Sequence, residues 1–307
     1  MVDTFSPIDL SLLPAPQVIE TLDFETLLTE RKQYLIGLYP ADEQAAIAAR
    51  LELESEPLVK LLQENAYREL VLRQRINDAA KAVMLPFATG ADLDQIGARY
   101  LVTRLLVTPA DPSAVPPVAA VYESDTDFRA RIQLSLEGYT TAGSQGSYIF
   151  HGLSADGSVR DIQAISPAPG QVTVYVLSRE GDGEASAELQ AKVISALNAE
   201  DVRPLTDQVT VLSANIVDYQ VAAELTLYDG PDASVVRTAA LNAVEDYAES
   251  IKRIGFDVAL SGLYQALHQP GVQSVRLIEP AASLILAEGE ASHLTGITLT
   301  IAGSPDE

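Results

Sequence analysis

The chain has 307 residues and a formal net charge of −23 at neutral pH, with 20 basic and 43 acidic side chains. Such a charge disfavours nucleic acid and anionic membranes as partners, because both are bound through clusters of Lys and Arg. The sequence contains no cysteine, which excludes disulfides, thiol nucleophiles and thiolate-bound metals. Its aromatic content of 6% offers few rings on which bases or sugars could stack.

The first 56 residues predict acidic helices preceded by an extended arm. Pro7, Pro14 and Pro16 interrupt the start of the chain, and helical segments are expected at about 24–34 and 43–53. We expect no signal peptide, because Asp3 and Asp9 stand where a basic region would lie, and no apolar run is long enough to span a bilayer. We therefore expect synthesis in the cytoplasm and no membrane partner.

A long helix is predicted from about Leu58 to Leu85, since Pro57 suits the first turn of a helix and Pro86 ends it. The apolar residues expected to form its buried stripe are Leu58, Leu62, Ala66, Leu70, Ile76, Ala80 and Val83. Further apolar residues fall outside this stripe, namely Leu61, Tyr67, Val71 and Leu72. A long helix that is apolar on more than one face is typical of a domain spine or of one member of an intermolecular bundle.

The charge is distributed unevenly along the chain. Residues 1–56 carry 11 acidic and 3 basic side chains, a balance of −8, whereas residues 57–104 carry 5 and 7, a balance of +2. Residues 105–307 carry 27 and 10, a balance of −17. A locally basic helix is most often a solvated face. It could also be a docking surface for an acidic neighbour, including another copy of the chain.

The second half predicts α+β structure after a proline-rich segment. Four prolines between positions 109 and 117 preclude a helix or a central strand there. The predicted organisation is a helical N-terminal region, a proline-rich linker, a middle α+β domain and a C-terminal α+β domain, at residues 1–106, 107–122, 123–215 and 216–307. The fold class is therefore α+β, with a helical region followed by two small mixed domains.

Local patterns place the elements of this second half. The capping box Ser124-Asp-Thr-Asp127 predicts a helix with Phe128, Ile132 and Leu136 on one face, and a short apolar turn is expected at 149–150. Strict alternation from Val217 to Leu227 predicts a strand. The other strands are predicted at 172–177, 209–211, 272–278 and 294–301, and the other helices at 185–198, 233–254 and 260–267.

No catalytic motif stands out from the sequence. His151, His268 and His293 lie far apart and lack any metal-ligand spacing. The acidic turn Glu180-Gly-Asp182-Gly-Glu184 could chelate a hard cation, although a solvated turn before a helix is the more frequent explanation. The Gly143–Gly146 loop lacks the lysine of a phosphate-binding loop.

Several stretches, in a fixed order along most of the chain, resemble the baseplate assembly protein J family of contractile-tailed bacteriophages and phage-like particles. Their order carries the resemblance, because no single stretch is diagnostic. The stretches are 56–76, 91–97, Asp127-Phe-Arg-Ala-Arg-Ile132, Leu136-Glu-Gly-Tyr-Thr-Thr-Ala-Gly-Ser144, Tyr148-Ile-Phe-His-Gly-Leu153, 159–162, 166–170, Val202-Arg-Pro-Leu-Thr-Asp207 and 254–258.

The resemblance implies a structural subunit of a baseplate wedge, without enzymatic activity or cofactor. It implies that the helices pack with partner subunits, while the α+β domains link neighbouring wedges into a ring. The expected partners are other baseplate wedge subunits, further copies of this chain, and tail sheath or hub proteins, with no nucleic acid and no membrane. The expected location is the tail baseplate of a virion or phage-like particle, after synthesis in the host bacterial cytoplasm.

On this interpretation residues 20–105 bind the partner, and residues 123–303 make the contact between wedges. The residues expected at the partner interface are Leu61, Tyr67, Arg68, Val71, Leu72 and Arg75. One alternative is an acidic cytoplasmic α+β enzyme or small-ligand-binding protein, which a pocket joining a histidine to carboxylates would support. A secreted or halophilic binding domain is a third class; the missing signal sequence and cysteines count against secretion, and a halophilic origin would alter the salt dependence and not the function.

Overall fold

The computed structural model describes residues 8, 10, 13–14, 16–140, 143–200, 202–230 and 232–302. They form two compact units, a helical unit of Ile8–Arg99 and an α+β unit that begins at Tyr100. This combination confirms the predicted α+β class. Much of the predicted N-terminal arm, including Pro7, lies outside the described residues. Within the described ranges, no helix combines the length and apolar character needed to cross a membrane.

The helical unit is organised around one long helix. Its elements are α1 (Phe24–Gly37), α2 (Gln44–Leu51), α3 (Pro57–Ala82) and α4 (Gly90–Arg99). The 26 residues of α3 correspond to a length of about 39 Å at ~1.5 Å per residue. The side chains of Leu27 and Leu28 on α1 pack against Ala66 of α3 to form a small buried cluster. The predicted long helix is therefore present, slightly shorter than expected.

The predicted buried stripe of α3 is wrong at its C-terminal end. Ile76 and Val83 are each 62% exposed, and the buried residue is instead Asn77. Its side-chain amide donates to the carbonyl of Glu20 (2.9 Å), and its Oδ1 accepts from the amide of Glu20 (3.1 Å). The buried line thus continues through a polar residue, which a search for apolar periodicity does not detect.

The proline-rich segment contains a small hairpin in the α+β unit. Strands β1 (Leu106–Thr108) and β2 (Val121–Tyr122) pair antiparallel, and Asp111 bridges to Val118 nearer the tip. Hydrogen bonds from Ser113 lower the pKa of the Asp111 carboxyl, and its Oδ1 also accepts from the Ala114 amide. That this segment is a linker between domains stays a prediction.

Besides a 3₁₀ turn at Glu137–Tyr139, the described residues of the following part form three α-helices and three strands. These are α5 (Asp125–Leu134), α6 (Gln145–Ala155), β3 (Val159–Ala168), β4 (Gln171–Ser178), α7 (Ala187–Leu197) and β5 (Gln208–Ser213). The sheet has the order β3-β4-β5, with β3 antiparallel and β5 parallel to the central strand. Val174 and Val176 on β4 are fully buried against the helices.

Two sequence predictions fail in this part, and one strand was missed. The apolar turn expected at 149–150 is the middle of α6, whose buried side includes the small residues Gly146, Ser147 and Gly152. Strand β3 was not predicted, because its polar residues hide the alternation. Leu136, expected on the buried face of the helix after Ser124, is 65% exposed beyond the end of α5. The Ser124 cap itself is confirmed, since its hydroxyl accepts from the Asp127 amide at 3.1 Å.

The last part pairs a three-stranded sheet with two helices. Its elements are β6 (Asn215–Leu227), α8 (Ala233–Ile251), α9 (Leu260–Leu267), β7 (Val272–Glu279) and β8 (Glu290–Ala302). The order is β7-β6-β8, in which β6 is antiparallel to β7 and parallel to β8. The alternation along β6 is confirmed, because Tyr219, Val221, Ala223 and Leu225 are buried in the core that α8 and α9 cover.

Candidate docking face

Helix α3 begins where its sequence favours a start. Pro57 occupies the first turn, where its missing N–H costs no hydrogen bond, and Glu56 before it has extended backbone. The side of α3 that carries Val59 and Ala66 is buried within the helical unit, at 2% and 0% exposure. Packing of this inner side fixes which residues α3 presents to solvent.

The opposite side of α3 carries the six residues predicted at the partner interface. At ~100° of rotation per residue, they occupy an arc of about 140° centred opposite Ala66. All six are exposed, and we call them the docking face: Leu61, Tyr67, Arg68, Val71, Leu72 and Arg75. The apolar members Leu61, Tyr67 and Leu72 have 57%, 62% and 65% of their surface exposed. Ile76 extends the apolar surface at one edge.

Charges on the inner side of α3 are satisfied within the chain. Glu69 forms ion pairs with Arg31 of α1 and with Arg73, which also contacts Glu20 at 3.3 Å. The Arg31 guanidinium, with that of Arg73, holds the pKa of the Glu69 carboxyl below its ordinary value. These pairs fasten α1 and the segment at Glu20 to the long helix.

Charges on the docking face are paired less completely. Arg68 forms an ion pair with Glu64 one turn before it, a contact of small energy at an exposed site. Arg75 forms no ion pair with any residue in the described part of the chain. The face therefore combines an apolar strip with a cation available to an acidic side chain on a partner.

This arrangement suits the docking of another helix. Apolar residues that recur along one side of a helix form the ridges that interdigitate with a neighbouring helix at 8–10 Å separation. Contiguous exposed apolar surface is uncommon on a monomer and marks interaction sites. The geometry thus agrees with the interface predicted from sequence, although the residue assignment itself stays a prediction.

A buried ion pair that the sequence did not reveal lies in the α+β unit. Arg131 of α5 donates through Nε and Nη2 to the two carboxylate oxygens of Glu123, at 3.0 and 2.7 Å, and both side chains are about 95% buried. Arg131 Nη2 also donates to the carbonyl of Thr103 at 2.6 Å. Arg104 donates to the Glu123 carbonyl (2.7 Å) and lies over the Phe128 ring. An arginine at an inward helix position between Phe128 and Ile132 was the available signal.

This network ties chain segments together through groups that are hydrogen-bonded to one another. Glu123 uses its second oxygen also to accept from the Leu105 amide at 3.3 Å, next to the base of the hairpin. Each ionised group is therefore satisfied by a specific partner, as a buried pair requires. The role that follows from this geometry is the positioning of α5 against residues 103–105.

The other groups considered from the sequence do not converge. In the described ranges, no three His, Asp or Glu side chains come together in a way that could hold a metal ion. His151 lies on α6 with its Nε2 3.1 Å from the Gly138 carbonyl, His268 caps α9, and His293 lies on β8 opposite Asp218. The alternative of an enzyme or ligand binder gains no histidine–carboxylate pocket from these positions.

The acidic turn at 180–184 borders a shallow cleft before α7. The cleft is lined by Asp156, Ser158, Ser178, Glu180, Glu184, Ser186, Glu188, Leu189 and Lys192. Lys192 contacts Asp156 at 3.0 Å and Glu188 at 3.3 Å, and these carboxylates raise its pKa. The Glu184 amide donates to Asp182 Oδ1 at 3.0 Å, so part of the turn is occupied with its own backbone.

Three family descriptions match the chain in order. They are the Baseplate J-like N-terminal domain at residues 54–111, the Baseplate J-like central domain at 140–213 and the Baseplate J-like protein C-terminal domain at 219–300. The first match contains α3 with its docking face, and the others contain the two sheets.

Individual proteins are similar as well. The chain is 56% identical to Baseplate protein J of Escherichia phage P2 over 299 residues, which is 97% of this chain and 99% of that protein. A cryo-EM structure of the anti-feeding prophage baseplate, six-fold symmetrised, is similar with a TM-score of 0.41 and 16% identity, over 58% of this chain and 43% of that chain. On the full-length identity, the chain belongs to the baseplate J family.

Proposed function

We propose that this chain is a structural subunit of the baseplate wedge of a contractile tail. The observation that carries the proposal is the 56% identity to Baseplate protein J of Escherichia phage P2 along 97% of the chain. The chain would be made in the bacterial host and end in the tail of the particle, where it works by contact and without catalysis or cofactor.

The function is tested by identifying the proteins with which the chain assembles. A tagged chain is expressed together with the other tail genes of its source, without added ligand or substrate, and the mass and composition of the recovered particle are measured. We expect a stable hetero-oligomer that contains other baseplate proteins. Recovery of the chain as a lone monomer under these conditions would contradict the proposal.

Within that function, the docking face of α3 is the surface that binds a partner subunit. Its support is the exposure of Leu61, Tyr67 and Leu72 on a helix whose inner side is already packed. Its occupant is an amphipathic helix of another wedge protein, with an acidic residue placed to meet Arg75. Burying about 100 Å² of apolar surface contributes about 2.5 kcal/mol at ~25 cal/mol per Å², before the cost of association, so the strip supplies one part of a larger interface.

The docking face is tested by the double variant Leu61→Asp and Leu72→Asp in the co-expression experiment. Both side chains are exposed, so we expect an unchanged melting temperature but loss of the hetero-oligomer. The matched control is Leu38→Asp, which changes an equally exposed leucine of the helical unit, at 65%, outside the docking face. Capture of partners by the double variant at the normal level would remove this surface from the account.

We further propose that residues 123–303 make the contact between neighbouring wedges. Support comes from the resemblance of the chain to wedge proteins, whose α+β domains link wedges into a ring. A chain that ends at residue 122 should still capture the helical partner, but should not form assemblies that contain several wedges. Loss of both activities, with the helical unit still folded by circular dichroism, would argue against this division of labour.

A further inference from the structure

The two sheets of the α+β unit are joined by a single residue. Strand β5 ends at Ser213 and β6 begins at Asn215, with the connecting residue Ala214 buried at 4% exposure. The Ala214 amide donates to the carbonyl of Val176 on β4 at 2.8 Å. The next amide, of Asn215, donates to the carbonyl of Gly289 before β8, also at 2.8 Å. The connection is therefore hydrogen-bonded to the first sheet through Ala214 and to the segment before β8 through Asn215. It contains no flexible residues that could act as a hinge.

Arg160 of β3 binds the C-terminal end of α8. Its Nε donates to the Lys252 carbonyl at 2.8 Å and its Nη2 to the Glu249 carbonyl at 2.7 Å, while its Nη1 pairs with the Glu249 carboxylate. The last carbonyls of a helix lack partners within the helix and carry partial negative charge. A guanidinium fork satisfies two of them at once, so this contact is both specific and charge-assisted.

Two further polar residues of β3 also bind the part of the chain that follows Ala214. Asp161 Oδ2 accepts from the Ile254 amide at 2.9 Å, just beyond α8, and burial raises the pKa of its carboxyl. Gln163 Oε1 accepts from the Gly289 amide at 2.7 Å in a buried position. Three side chains of one strand thus bind four backbone groups in the part of the chain that follows Ala214: the carbonyls of Glu249 and Lys252 and the amides of Ile254 and Gly289.

A small apolar core lies at the same contact between the first sheet and the part of the chain after Ala214, which we call the joint. Leu177 of β4 packs with Ala214, Ile254 and Ala291, all between 0% and 4% exposed. Gly289 lies so close to the Tyr175 ring that an added Cβ would stand 2.7 Å from it, and its φ of +75° also favours glycine. The polar contacts therefore surround a core that has no room for either side to slide.

We propose that Arg160, Asp161 and Gln163 lock residues 123–302 into one rigid arm, so that the two sheets move together and never swing about Ala214. A rotation at Ala214 would break the Arg160 fork, the two bonds to Ile254 and Gly289, and the packing of Leu177 in a single step. Any large movement of the chain in an assembly must then occur elsewhere. The proposal stands apart from the baseplate function and can be tested on the isolated chain.

The absence of cysteine from the sequence allows clean spin labelling. The pair Ser195→Cys and Asn242→Cys places one label on exposed α7 and one on exposed α8, across the joint. The pair Asn242→Cys and Ser274→Cys lies within the second sheet and its helix, as a reference. Double electron–electron resonance on the full chain should give equally narrow distributions of the distance between the two labels for both pairs. A broad or two-peaked distribution for the first pair alone would overturn the proposal.

The lock is tested by Arg160→Ala combined with Gln163→Ala. We expect the distribution across the joint to broaden at least twofold while the reference pair stays narrow. Arg276→Ala, which removes an exposed arginine paired with Glu224 away from the joint, should change neither. If the double variant does not fold, Arg160→Lys keeps the charge but loses the fork, and should broaden the first distribution only. An unchanged distribution in the folded variant would show that these side chains are not the lock.

Discussion

The helical unit and the α+β unit bury their apolar residues to different degrees. In the helical unit, the cluster between α1 and α3 has three buried members at 0–6% exposure, and the longest helix leaves Tyr67 and Leu72 more than 60% exposed. In the α+β unit, β6 alternates so completely that Val221, Ala223 and Leu225 are at most 1% exposed. The comparison contrasts a long helix that exposes apolar side chains along one side with a strand whose inward side chains at Val221, Ala223 and Leu225 are buried within the chain.

The largest effect is expected from removing one partner of the ion pair that is buried in the α+β unit. Glu123→Gln removes the carboxylate that neutralises Arg131 and leaves a guanidinium buried without a counter-charge. Loss of one partner of a buried pair costs about 3–5 kcal/mol. Chemical denaturation should show this loss of stability, with Arg276→Ala as a surface control near zero. A change below about 1 kcal/mol would show that water reaches the pair.

The second test compares equal truncations in the two units. Leu225→Ala, in the core covered by α8 and α9, should reduce the free energy of unfolding by about 3 kcal/mol, because it leaves a cavity. Leu72→Ala on the docking face should change it by less than about 0.5 kcal/mol. Urea denaturation of both variants measures the contrast. Similar losses at the two positions would contradict the distinction between a closed core and an open face.

The third test concerns the inner side of α3. Asn77→Ala removes the amide that pairs with both backbone groups of Glu20 and leaves them without those bonds. We expect a loss of about 2 kcal/mol, together with faster hydrogen exchange at the Glu20 amide. Asn77→Asp keeps the acceptor but turns a buried carboxylate oxygen toward the Glu20 carbonyl, so it should lose at least as much stability as Asn77→Ala. Equal exchange in all three chains would mean that the segment is held by other contacts.

The smallest effect is expected where the two units join in sequence. Leu101 has a φ of +58° and is 81% exposed, so it adopts a left-handed backbone without any burial in return. Leu101→Gly should therefore raise stability by about 1 kcal/mol, because glycine adopts this conformation without strain. Thermal unfolding would show a higher melting temperature by a few degrees. A lower melting temperature would indicate that the leucine side chain makes a stabilising contact.

Elements with a regular apolar pattern were predictable from the sequence. Elements whose buried side carries polar residues with long-range hydrogen bonds were not. The alternation along β6 and the cap at Ser124 identify their elements, because local chemistry and tertiary packing agree there. Strand β3 was missed because Arg160, Asp161 and Gln163 interrupt its apolar pattern in order to bind residues roughly 90 to 130 positions away in sequence. The C-terminal end of the buried side of α3 was missed for the same reason, because Asn77 is polar and pairs with the backbone of Glu20.

The docking face shows a different limit. Sequence periodicity identifies that Leu61 and Leu72 lie off the buried stripe, and the structure places both on the exposed side of α3. The contact proposed for them has its other half on a second molecule, which the sequence and the fold of one subunit do not describe. The order of matching stretches supplied the family, which no single motif in this sequence could have supplied.

The central claim, that the exposed side of α3 is covered by another tail protein, is tested most directly by crosslinking in assembled particles. A photoreactive amino acid replaces Leu72 in one sample and Leu38 in a second, both positions being 65% exposed in the isolated chain. Irradiation should join position 72 to a different baseplate protein, identified by mass spectrometry, and should give little or no product from position 38. Crosslinking from position 38 but not from position 72 would contradict the claim.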